Sequence, residues 1–282
     1  MRLKKELLIT FDYELFLGDN SGTVDNCLII PTNELVQIGD KKVLRFVFFV
    51  DTIYLKRMKD LQNLYPLVKA DFQKIMAQLK LLVEKGHYIF HHLHPHWLDA
   101  EYIPETNQWN LSDKRKFALS NLNETELTKV FKDSSEMLSE IYEGQELPKK
   151  WGYRAGGLYA QPLSDYKKYM LAHDITLDFS VLKGALSSSA EGGYKFDYSN
   201  SPKGLFYQFE DAHITEKKGG SFIELAMDQF EMKGLTKIVN GLFYRLNVGK
   251  KSWKRYGDGA SSGNKIKGIG SGKKLYVQET YS

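Results

Sequence analysis

Cysteine is nearly absent from this chain of 282 residues, and Cys27 is the only one. That excludes an intramolecular disulfide and any zinc site built on cysteine thiolates. Long apolar runs are missing as well. No stretch approaches the roughly 20 residues that a membrane-spanning helix needs, and Met1 is not followed by a secretory signal pattern. A cytoplasmic protein without a membrane span is the expectation. Net charge is scarce too, at +4 overall, yet unevenly placed. Between Arg245 and Lys274 nine basic residues face one acid, Asp258, and glycine and serine crowd the same stretch. Residues 248–273 therefore read as a solvated basic Gly/Ser-rich surface loop. The remainder carries a slight negative balance, which argues against nucleic acid as a partner.

What the chain does have is apolar and aromatic material, 42% and 13%, enough for the core of one large domain over residues 1–282. Strand-like and helix-like segments alternate. Glu6 to Phe11 and Val43 to Val50 read as strands, the second apolar on both faces. Val68, Phe72, Ile75, Met76, Leu79, Leu82 and Val83 mark one face of a helix that stops at Gly86. A second helix runs from a capping pair, Asn123 and Glu126, to a stop at Gly144. Beyond it, Trp151–Tyr153 and Ile175–Val181 read as strands around a helix from Pro162 to Ala172. Phe206–Phe209, Phe222–Met227 and Leu275–Val277 read as further strands, and Leu235–Leu246 as a helix. Such alternation favours an α/β barrel or a doubly wound sheet.

Chemistry concentrates at three strand ends. Four of the seven histidines fall within six positions, in Phe90-His91-His92-Leu93-His94-Pro95-His96-Trp97, just after a strand-like segment. Imidazole is the commonest side-chain metal ligand, and packing rarely accounts for such density. His92 and His96 are spaced to meet one ion if the chain turns at Pro95. His94 shares their face and is assigned to support or substrate contact, whereas His91 points the other way. Asp12 and Glu14 end the first strand on a common face, where one can bind a cation while the other serves as base. In Trp151-Gly152-Tyr153-Arg154-Ala155-Gly156-Gly157, Arg154 can hold Asp12 ionised through a bidentate contact.

Taken in order, Thr10-Phe11-Asp12-Tyr13-Glu14, Gly86-His87 through His92 and His96, and Tyr153-Arg154-Ala155-Gly156-Gly157 resemble the polysaccharide deacetylases of carbohydrate esterase family 4, the NodB-homology group. The resemblance covers about Leu7 to Val181, and its flavour is the subgroup linked to surface-polysaccharide biosynthesis. It implies a distorted (β/α) barrel of about seven strands. It further implies one divalent ion, zinc, held by Glu14, His92 and His96, with Asp12 as catalytic base and Arg154 orienting it. The family has adjacent aspartates where this chain inserts Tyr13 between Asp12 and Glu14. Its late histidine is missing from Phe222–Met227, which leaves His213 as the general-acid candidate. A backbone N–H near Gly157 would face the oxyanion, and Trp97, with Trp109 and Tyr159, would stack on sugar. The implied activity is hydrolysis of N-acetyl groups from a saccharide or nucleotide-sugar-derived glycan. Hydrolysis of another amide, or a degenerate barrel that only binds carbohydrate, are the alternatives.

Overall fold

The segment Val47–Asp51 reads VFFVD, and all five of its side chains are buried, which only a strand covered on both faces allows. It lies inside a seven-stranded sheet. In chain order the strands are β1 (Thr10–Tyr13), β2 (Val47–Asp51), β3 (Tyr88–Leu93), β4 (Trp151–Ala155), β5 (Ile175–Asp178), β6 (Phe206–Phe209) and β7 (Phe222–Leu225). Across the sheet the order is β6-β7-β5-β4-β3-β2-β1, and only the β6–β7 pair is antiparallel. The structure, a computed structural model, describes residues 5–18, 20–113, 115–188, 195–204, 206–230, 239, 257–259 and 275–281. Among the described residues the outer strands β1 and β6 do not pair, so the sheet is mixed α/β and open at that seam.

Among the described residues five α-helices of a full turn or more accompany it: α1 (Ile30–Lys42), α2 (Thr52–Leu61), α3 (Pro66–Glu84), α4 (Glu124–Ile141) and α5 (Lys167–Ala172). The expected stops hold. Gly86 and Gly144 both take positive φ, +80° and +81°, a conformation that costs glycine little. At the start of α4 the Asn123 side chain accepts from the Glu126 backbone N–H while Glu126 accepts from Asn123 N, the reciprocal pair expected there. The helix expected from Pro162 is shorter, since Leu163–Asp165 forms a 3-10 turn and α5 begins at Lys167. The first strand is split, with Lys5–Leu8 pairing antiparallel to Leu275–Tyr281 and Thr10–Tyr13 joining the main sheet. Leu235–Leu246 lies almost wholly outside the described residues.

Alternation sorts the strand residues between two faces. One face carries Phe48, Val50, Ile89 and Tyr153 into the main core beneath the helices. The other gathers a smaller cluster, Val47, Phe49, Phe90 and Phe179. Gly152 is needed between them, because a Cβ there would come within 2.3 Å of the Phe90 ring. The smaller cluster floors the end of the sheet where the carboxyl ends of β1, β2, β3 and β4 converge. In-register pairing sets Asp51 beside His92 and His92 beside Arg154. Strand ends of this kind are where α/β sheets carry their chemistry.

Candidate metal centre

Glu14 follows β1 directly, and period-two alternation puts it on the same face as Asp12. Tyr13, between them, turns to the opposite face and donates its hydroxyl to Gln78 on α3 at 2.8 Å. Across β2, His92 occupies the matching face of β3, and His94 continues the alternation one step beyond the strand. Glu14 Oε2 lies 3.1 Å from His92 Nε2 and 2.7 Å from His94 Nε2, and the two nitrogens are 3.1 Å apart. Among the described residues these three form the one group whose donor atoms all converge within 4.8 Å.

The donor set fits a small divalent ion. His92 Nδ1 donates to the Arg154 backbone carbonyl at 2.8 Å, so its proton sits there and the Nε2 lone pair faces His94 and Glu14. Two imidazole nitrogens and a carboxylate oxygen then point at one another, with His92 and His94 fully buried. Ligands at 2.0–2.1 Å around a tetrahedral zinc stand about 3.3 Å apart, close to the separations found here. Without a cation the cluster must keep a proton. Burial works against charge at His92, but Asp12 and Glu14 push its pKa up to about 9. Burial alone would raise the Glu14 carboxyl, yet His94 and His92 hold it well below the ordinary carboxylate range.

His96 does not join this group, which corrects the expected ligand set: the third donor is His94. Pro95 opens a 3-10 turn, Pro95–Leu98, that carries His96 off the strand's path. Its ring stacks on Phe117 at 5.4 Å with 7° between planes, and neither ring nitrogen has a partner. Burial, reinforced by His94, drives its pKa far down, so it stays neutral. Gly156 makes room for His94, since a Cβ there would meet His94 Nδ1 at 2.6 Å. Gly157 sits one step on, at φ +58°, against Phe117 and Tyr159.

Asp12 stands beside the donors and lines a cleft of about 460 Å³ together with Glu14, Phe16 and Cys27. Arg154 does hold it, but through one bond rather than two: Nη1 donates to Asp12 Oδ1 at 2.7 Å. The other guanidinium arms donate to Thr10 Oγ1 and the Phe179 carbonyl, at 2.8 and 3.2 Å. The guanidinium plane lies 4.1 Å over the Phe49 ring, so four contacts fix it.

Two other expectations change. Trp97 is fully buried between Tyr54 and Trp109, with ring centroids at 4.6 and 5.5 Å, and so is core rather than a sugar platform. His213 bonds Asp178 at 3.3 Å and packs on Phe209. Asp178 is register-paired with Tyr153, on the face opposite Arg154, so His213 is not gathered with Asp12 and the donors. His91 does face away, with Nδ1 2.7 Å from Ser134 Oγ.

One residue at the site has no role assigned to it from the sequence. Asp51 ends β2, is 1% exposed, and accepts from Tyr54 N at 3.3 Å while its Oδ2 has no partner. Burial pushes its pKa up to about 6, moderated by His94 and His92. A lone acid closing an otherwise apolar strand was the available signal. Compared with known proteins, the chain matches no family model and no curated sequence.

Proposed function

We propose that the protein is a metal-dependent hydrolase that removes N-acetyl groups from a saccharide or nucleotide-sugar-derived glycan, working in the cytoplasm on an open, barrel-like sheet. The observation that carries this reading is a buried histidine pair and Glu14 converging beside a carboxylate, Asp12, that an arginine holds in place. A divalent ion such as zinc held there would supply Lewis acidity and a bound water with a pKa near 7. Asp12, facing the cleft, takes a proton from the attacking water. Arg154 keeps that carboxylate aimed at the cleft. The departing amine nitrogen needs a proton in turn. With His213 engaged by Asp178, Asp12 is the group positioned to return the one it took.

A barrel that only binds carbohydrate has no use for a fixed base beside a donor triad, which favours the hydrolase. Another amide substrate would use the same groups, and the assay separates the two. The test is metal analysis of the purified protein, then acetate release from N-acetylated nucleotide sugars and glycans. Asp12→Asn should keep its metal and lose about 10²–10⁴-fold in kcat. Undiminished acetate release by that variant would remove Asp12 from the reaction.

A further inference from the structure

The cleft beside Asp12 and Glu14 has a wall from the far end of the chain. Gly257 lines it together with Asp12, Glu14, Phe16 and Cys27, although 230 positions of sequence or more separate it from each of them. What fixes it there is Asp258. Its carboxylate accepts from Thr23 N at 2.7 Å, Thr23 Oγ1 at 2.9 Å, Asn26 Nδ2 at 2.8 Å and Cys27 Sγ at 3.3 Å. Its backbone carbonyl accepts from Asn20 Nδ2 at 3.1 Å, and Gly257 N donates to the Asn26 carbonyl at 3.0 Å. Burial opposes the charge, but the Asn26 and Thr23 donors hold the Asp258 carboxyl far below its ordinary range.

The three-residue contact is also shaped for closeness. A Cβ on Gly257 or Gly259 would strike the Phe16 ring at 2.4 or 2.5 Å, and one on Gly22 would come within 2.9 Å of Asp258 Oδ1. Glycine on both sides of the aspartate therefore lets the backbone lie flat on Phe16, itself a cleft residue. Charge-assisted hydrogen bonds of this number exceed what an incidental surface contact holds.

We propose that Gly257–Gly259 is a strap, latched by Asp258 onto residues 20–27, that forms the outer wall of the cleft and determines which substrates reach Asp12 and the donor triad. The substrate part of this statement rests on the hydrolase reading. The strap itself does not. Cys27, the only cysteine, lies under the strap and reports on it directly.

The test uses the full-length protein, Asp258→Ala, and the double variant Thr23→Val/Asn26→Ala, which unlatches the other side. Cys27 is labelled with a bulky maleimide and with iodoacetamide, and the ratio of the two rates cancels any change in thiol acidity. Both variants should raise that ratio at least tenfold, because Asp258→Ala removes four bonds to the carboxylate and the double variant two. The loss of one charge-assisted bond already shifts an opening equilibrium by about that factor. Acetate release should show KM raised several-fold with kcat little changed. A wild-type ratio in both variants overturns the strap. A raised ratio with unchanged KM overturns its role in substrate selection. If Asp258→Ala does not fold, the double variant decides. If the wild-type protein releases no acetate, the hydrolase reading fails, and the labelling ratio alone decides whether the cleft is strapped.

Discussion

His94 and His96 differ by two positions, and their roles separate on one residue, Pro95. Had the strand continued, alternation would have brought His92, His94 and His96 to one face. The proline starts a 3-10 turn instead, and His96 ends under Phe117. Two substitutions check this assignment. His94→Ala should abolish stoichiometric zinc binding in a metal titration, whereas His96→Ala should bind zinc as the wild type does. Loss of the ion from His96→Ala with retention in His94→Ala would reverse the assignment. Asp12, Glu14, His92 and Arg154 were legible in the sequence because each sits on or directly after a regular strand, where period two fixes the face. Sequence alone gives His94 only support or substrate contact, because a turn's geometry is not written in spacing. Trp97 departs from expectation for a different reason: its indole has the chemistry of a sugar platform, and only packing against Tyr54 and Trp109 reveals it as core.

Among the elements, those with local punctuation were the readable ones. Helix α4 carries its start and stop within its own sequence, in Asn123, Glu126 and Gly144. Asn123→Ala should therefore cost about 1 kcal/mol and lower Tm by a few degrees without touching the metal site, which paired thermal melts and zinc titrations would check. A melt unchanged by the substitution would mean that tertiary packing, not the cap, sets that helix start. Helices α1 and α2 each carry a start mark, Pro31 and Asp51, but no glycine stop like that of α4. α1 buries only Thr32, Val36 and Gly39 among its thirteen residues, too thin a stripe to recognise as periodicity. α2 springs directly from β2 with no turn residue between, its N-terminus capped by Asp51 itself. The side chain that caps a helix there is the same one left with an unpartnered oxygen near the histidines, so local structure and site share a residue.

For the molecule as a whole, charge at the donor cluster sets how stability and metal binding follow pH. In the metal-free protein, protonated His92 is favoured by folding, its pKa lying at about 9 against an ordinary 6.5. That contribution is complete below pH 6.5 and fades as pH rises through 9. Glu14 works in the other direction: its carboxyl is lowered from an ordinary 4.5, so its contribution is complete above pH 4.5 and fades as pH falls toward the depressed value. As far as this pair decides, the metal-free protein is most stable between about pH 4.5 and 6.5. Zinc must displace the His92 proton, so its affinity should climb steadily from pH 6.5 to 9 while metal-free stability declines. Calorimetric titrations across that range would test it, and a flat affinity profile would mean His92 does not hold the proton.

The order of the strands adds a mechanical consequence. Glu14 comes off β1, and His92 and His94 come off β3, with β2 hydrogen-bonded between them. An ion gripping all three would tie the ends of β1 and β3 together across β2, at the margin beside the open seam, where among the described residues no further strand pairs with β1. Chemistry and mechanical reinforcement would then be inseparable in this protein, since whatever strips the ion from the histidines also unfastens the sheet's free border.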